Sequence, residues 1–137
     1  MSVPPPLCIN KERLLQRLAT LSDIGGIPGT TGSSRLALSD ADRQGRDQVC
    51  AWMRELGMSL RIDQVGNVIG IRDGTDDLPP VMTGSHIDTV QTGGRYDGNL
   101  GVLAGLEIVQ RLNEEQLQTR HPLAIGFFSN EEGARFQ

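Results

Sequence analysis

Aromatic side chains are scarce in this sequence: three Phe, one Tyr and one Trp make up 4% of 137 residues. A core built from it has to pack mostly Leu, Val, Ile and Ala. There are two cysteines, Cys8 and Cys50, far apart and outside any CxxC spacing. That excludes a disulfide framework and a thiolate metal site, and it fits a reducing compartment. No cluster of Lys and Arg stands out against the formal net charge of -4, which argues against a nucleic-acid surface. No stretch approaches the ~20 apolar residues of a membrane helix, and Met1-Ser2-Val3-Pro4 opens no basic segment of the secretory kind. The expectation is a cytoplasmic protein with neither nucleic acid nor membrane as a partner. Missing too are the GxSxG elbow, the Walker A loop and a GxGxxG opening a helix, so serine-hydrolase and nucleotide-binding templates fit poorly.

The length is enough for one domain with a real core. Residues 1–9, with Pro4-Pro5-Pro6, read as a disordered Pro-rich tail. Asn10 stands where a helix cap would, and Leu14, Leu15, Leu18 and Leu21 share one helical face over residues 11–22. Residues 25–38, rich in Gly, Ser, Thr and Pro, read as a long loop with Arg35 inside it. Ser39 then caps a second helix whose Val49, Trp52, Met53 and Leu56 recur at helical spacing until Gly57. Met58, Leu60 and Ile62 alternate as in a strand, and residues 67–71 form a second strand after a tight turn. Residues 81–85 read as a short buried strand and 98–112 as a helix with small residues for close packing. Leu123-Ala124-Ile125-Gly126-Phe127-Phe128 is continuous enough to be a strand buried on both faces. Strand, helix, strand from 81 to 128 is a βαβ unit with a parallel pair, so the fold class is α/β with a mixed sheet.

The chemistry gathers where two of these strands end. His86 and Asp88 are two apart, so on extended backbone they point the same way. Asp88 could then hold one ring nitrogen while the other faces a metal, and ligands collect at the carboxyl ends of strands in α/β sheets. A surface HxD pair is the alternative. Asp97, before Gly98, is either a plain helix cap or a carboxylate shared by two ions. Glu131 and Glu132 follow the apolar strand directly; they are either a solvated pair or two carboxylates with different tasks. Adjacent carboxylates repel, so a cation nearby would relieve them. In the functional reading one ligates metal and the other moves a proton. One His and several carboxylates suit a borderline-hard ion such as Zn²⁺ or Mn²⁺. His121, before Pro122, reads as a surface residue.

Taken in order, Gly84-Ser85-His86-Ile87-Asp88-Thr89-Val90, Gly93-Gly94-Arg95-Tyr96-Asp97-Gly98 and Asn130-Glu131-Glu132-Gly133-Ala134-Arg135-Phe136 resemble the metal-site motifs of the M20 metallopeptidase family. More narrowly they are similar to its amidase branch of N-carbamoyl-L-amino-acid hydrolases, allantoate amidohydrolases and ureidopropionases. Ser34-Arg35-Leu36-Ala37-Leu38-Ser39 and Asp63-Gln64-Val65-Gly66-Asn67 fit as well. The resemblance implies the N-terminal part of a three-layer α/β sandwich of the zinc-aminopeptidase type. It implies two divalent ions, Zn²⁺ or Mn²⁺, with His86 on one, Asp97 bridging and Glu132 on the other. Glu131 would be the general base and Asp88 would orient His86. The implied reaction is hydrolysis of a carbamoyl or ureido C–N bond in a small carboxylate-bearing substrate. Residues 10–137 would then be the first part of the catalytic domain of a homodimeric parent. The lid and dimerisation domain, the C-terminal part and two further His ligands would lie outside this chain, which alone would be inactive. The alternatives are a dipeptidase or deacylase of the same family, or a truncated remnant without catalysis.

Overall fold

The computed structural model describes residues 6–136. Helix α1 is Lys11–Asp23, α2 is Asp40–Glu55 and α3 is Asn99–Glu114; the strands are β1 Ser59–Ile62, β2 Val68–Arg72, β3 Val81–His86 and β4 Leu123–Phe128. Capping fixes the first two helix starts. The Asn10 Oδ1 accepts from the Arg13 amide at 3.0 Å, and the Ser39 hydroxyl accepts from the Asp42 amide at 3.1 Å. Of the expected apolar face on α1, Leu14, Leu18 and Leu21 are buried, while Leu15 is 43% exposed. Leu15 is one position past Leu14, which turns it about 100° away from the core. The expected tail lies outside the described residues up to 5. Residues 6–9 are exposed and without regular structure, and the Cys8 carbonyl accepts from Arg111 Nε at 2.9 Å.

The sheet runs β1-β2-β4-β3 and is mixed. β1 pairs with β2 and β2 with β4 antiparallel, whereas β3 and β4 are parallel and joined through α3. The β1–β2 connection is fixed by the Asp63 carboxylate, which accepts from the amides of Val65 and Asn67. Side chains alternate across the sheet. One face presents Val68, Ile125 and Phe127, and these join one core with Leu18 and Leu21 of α1, Val49 and Met53 of α2 and Val102, Leu103 and Leu106 of α3. The opposite face presents Ile69, Ile71, Met82, Ala124 and Phe128.

β3 departs from the expectation of a buried strand. The order places it at an edge, and Val81 and Met82 are exposed. Only its carboxyl end goes inward, His86 being buried. The 25–38 loop is also less free than its composition implies. Ser33 bridges both Gly26 and Gly93, and Arg35 is wholly buried. Glu107, on α3, is fully buried as well. Burial pushes its carboxyl up, but Arg13 and the Asn10 amide outweigh this and hold it below the ordinary carboxylate range. That ion pair pins α1 to α3.

Gly84 and Gly126 face one another in the β3–β4 register, and a Cβ on Gly84 would run into the Gly126 backbone. Gly84→Ala is therefore expected to lower stability by roughly 1–3 kcal/mol. Chemical denaturation measures this, and an unchanged midpoint would contradict the tight pairing.

Candidate functional site

Parallel pairing sets His86 opposite Phe128, so β3 and β4 finish at the same level. The loops that leave the two strands are therefore neighbours. Beyond β3 come Asp88 and, after a loop, Asp97. Beyond β4 the chain turns through Asn130, at φ 54°, to Glu131 and Glu132.

The His86 ring is fixed from both sides. Its Nδ1 lies 2.9 Å from the Asp88 carbonyl oxygen, to which it donates, and Nε2 is left toward the cleft. There Nε2 faces Glu131 Oε2 at 3.3 Å. A lone pair and a carboxylate so placed need a proton or a cation between them. On the other side stands Gly98, at φ 65°. A Cβ there would fall 2.5 Å from His86 Cε1 and 2.6 Å from Nδ1. Gly98 is therefore required twice, by its left-handed backbone and by the ring against it. It is also the cap position of α3, where no side chain caps the helix. That removes the plain-cap alternative for Asp97, which sits one residue earlier and is exposed.

Asp88 works differently from the expectation that its carboxylate holds the ring. That carboxylate is 3.6 Å from Nδ1, and the nearer contact is the backbone carbonyl. Its two oxygens instead accept from the amides of Glu131, at 3.3 Å, and Glu132, at 3.2 Å. Buried to 3% exposure, it ties the loop after β4 to the loop after β3.

One ligating atom each from His86, Asp97 and Glu132 lie within 4.8 Å of one another. Glu131, whose side chain is about half exposed, borders this group through Nε2. Burial, then the charges of Asp97 and Asp88, raise the Glu132 carboxyl above its ordinary value, while His86 opposes the rise. One imidazole with an open nitrogen and two carboxylates that resist sharing a space form a donor set suited to a divalent cation. Exposed His121 is remote from this group; its Nδ1 contacts the Pro79 carbonyl.

Two residues here were given no role from the sequence. Asn99 is buried directly beyond Gly98, and its Nδ2 donates to the Arg95 carbonyl at 3.1 Å. Arg35 is buried between the two loops, and burial pushes its guanidinium down to about 10. Its trace in the sequence is the motif Ser34-Arg35-Leu36-Ala37-Leu38-Ser39, which carries a single Arg in a stretch of small residues.

Comparison with known proteins bears on the same segments. Peptidase family M28 matches residues 67–135, half of the chain. The chain is 45% identical over 130 residues to an N-carbamoyl-L-amino acid amidohydrolase of Geobacillus stearothermophilus, covering 94% of this chain and 32% of that protein. It is 38% identical over 126 residues to a ureidoglycolate hydrolase of Oryza sativa, covering 91% and 25%. Among solved structures, a hydantoinase/carbamoylase family amidase of Burkholderia ambifaria superposes with a TM-score of 0.93 at 49% identity, over 96% of this chain and 32% of that one. The chain thus spans a quarter to a third of the length of these relatives. The relatives carry the names of the amidase branch to which the motifs pointed, and the match to peptidase family M28 agrees with a fold of the M20/M28 type.

The raised Glu132 carboxyl gives a pH dependence. A carboxyl whose folded value exceeds its unfolded one favours folding below the ordinary carboxylate range. That contribution is lost as pH rises through the folded value. Metal-free protein at neutral pH then carries the cost of burying a charged Glu132, added to its repulsion by Asp97 and Asp88. Glu132→Gln is expected to raise the metal-free melting temperature at pH 7, with the gap to wild type closing on acidification. A lower melting temperature for the variant at pH 7 would contradict this.

Proposed function

This chain belongs to peptidase family M28, and on that premise we propose that the protein carrying it is a hydrolase of carbamoyl or ureido C–N bonds in small carboxylate-bearing molecules. The observation that carries the reading is the convergence of His86, Asp97 and Glu132 within 4.8 Å, with Glu131 at 3.3 Å from the His86 ring. The substrate class rests on the relatives named for N-carbamoyl-L-amino acids and ureidoglycolate.

In this reading His86, Asp97 and Glu132 would hold two divalent cations, Zn²⁺ or Mn²⁺. Such ions supply Lewis acidity toward a carbonyl and a water. Glu131 has the position and freedom of a general base: its amide is held by Asp88, while its carboxylate stays about half exposed beside the ring. It takes a proton as water adds to the carbonyl carbon, and returns that proton to the nitrogen as the C–N bond breaks. Asp88 keeps Glu131 and Glu132 in register with His86 through the two loop amides. His86 donates from Nδ1 to the Asp88 carbonyl, which keeps Nε2 free as a ligand.

The remaining two thirds of such a protein would supply further ligands, the groups that read the substrate and a dimer interface. A cytoplasmic home agrees with two unpaired cysteines, Cys8 exposed and Cys50 buried. Among the described residues no helix is long and apolar enough to cross a membrane. The match to a peptidase family favours a second reading, in which the bond cleaved is a peptide bond. A panel of N-carbamoyl-L-amino acids, ureidoglycolate and dipeptides, offered to the full-length protein, separates the two. Within the first reading, Glu131→Gln is expected to lower kcat by about 10²–10⁴ with metal content unchanged. Turnover at the wild-type rate would remove Glu131 as the base.

A further inference from the structure

Among the described residues, Arg35 is the one fully buried cation that the proposed chemistry does not use, and no carboxylate is bonded to it. A guanidinium out of water needs its donors satisfied, and here carbonyl oxygens and one amide do so. Nε donates to the Ile87 carbonyl at 2.8 Å, and Ile87 lies between His86 and Asp88. One terminal nitrogen donates to the carbonyls of Leu21 and Ile24, at 2.8 and 2.7 Å, at the end of α1. The other donates to Asn99 Oδ1 at 3.0 Å. Asn99 in turn holds the Arg95 carbonyl through Nδ2, and its own amide meets the Asp97 carbonyl at 2.6 Å. The backbone of Arg35 is tied to the same place: its amide donates to Thr89 Oγ1 at 2.7 Å, and its carbonyl accepts from the Thr89 amide at 2.9 Å.

These bonds converge on two short turns. One delivers His86 and Asp88; the other delivers Asp97. Arg35 joins both and anchors them to α1. We propose that Arg35 is a positioning residue that sets the distance between His86 and Asp97, and with it the affinity of the site for a divalent cation. This rests on the metal reading of the site. The planar fork is what the task requires, since three donor directions must reach three separate elements at once. A lysine carries the charge but one ammonium cannot span them. Gly45 of α2 leaves the room for the Arg35 stem: a Cβ there would fall 2.8 Å from Arg35 Cδ and 3.2 Å from Nε. A methyl group at position 45, far from any ligand in sequence, is therefore expected to disturb the cation site through Arg35, the next nearest atom being Leu21 Cδ1 in ordinary contact at 3.5 Å.

The test is Zn²⁺ affinity of the full-length protein, by competition with a chromogenic chelator. Melting of the metal-free protein is followed alongside, and binding is measured well below the melting temperature. Arg35→Lys and Gly45→Ala are each expected to weaken Zn²⁺ binding by roughly 10–100-fold in folded protein. A residue with only a structural role would lower the melting temperature and leave the affinity of the folded protein as in wild type; that result overturns the proposal. Should Arg35→Lys fail to fold, Gly45→Ala decides on the same two outcomes. His86→Ala separates the proposal from the reading beneath it. If wild type binds no Zn²⁺, or binds it no better than His86→Ala, the metal reading falls and takes this inference with it. Tight wild-type binding that the positioning variants leave unchanged overturns the inference alone.

Discussion

The Asp88 carboxylate, accepting from the amides of Glu131 and Glu132, is the contact on which the candidate site depends. Parallel pairing of β3 and β4 brings the two strand ends level but says nothing about where the chain goes next. The loops beyond them are made of polar and small residues that water could solvate in many conformations. A buried carboxylate with two amide donors removes that freedom, because an unpaired charge at 3% exposure would be costly. The same residue's carbonyl accepts from His86 Nδ1, so one position fixes the ring and both glutamates. Only backbone amides are required of residues 131 and 132 here, which leaves their side chains free for chemistry.

That arrangement concentrates acid. Asp88, Asp97, Glu131 and Glu132 gather about a single imidazole, and the Glu132 carboxyl is raised, first by burial and then by the charges of Asp97 and Asp88. Arg35, the buried cation nearby, relieves this only at a distance, since its donors are occupied by carbonyls and Asn99. Its own lowered value shows that burial outweighs the attraction of Asp42 and Asp88. A cluster that lacks internal neutralisation is a poor device for stability and a good one for binding a cation. The fold meets the cost elsewhere, through the apolar core under the sheet and the α1–α3 ion pair at Glu107.

Much of this was legible in the sequence because chemistry-bearing residues stood at the borders of patterned segments. His86, Asp88, Asp97, Glu131 and Glu132 are all polar groups at the ends of segments with clear periodicity, and caps at Asn10 and Ser39 marked two helix starts. What escaped were matters of tertiary placement. No local pattern says that Val81 and Met82 are exposed among the four strands of this chain, because they are as apolar as buried residues. The division of labour within Asp88 escaped as well, since spacing of two predicts a shared direction but not which oxygen meets the ring. The role of Arg35 escaped too: the sequence places it in a Gly, Ser and Thr loop and in a family-like motif, but its burial depends on carbonyls far away at positions 21, 24 and 87.

Glycine ties these points together. Gly98 admits His86 against the backbone, Gly45 admits Arg35 beneath the two turns, and Gly84 allows β3 to lie close on β4. Each is a position where a methyl group would collide with a residue of the site or with the strand that delivers one. Abundant glycine in this chain therefore marks close approach as much as flexibility. The helix start at Gly98 makes the point most directly. A left-handed residue without a side-chain cap is a weak way to begin α3. It is there because the space a capping side chain would occupy belongs to His86.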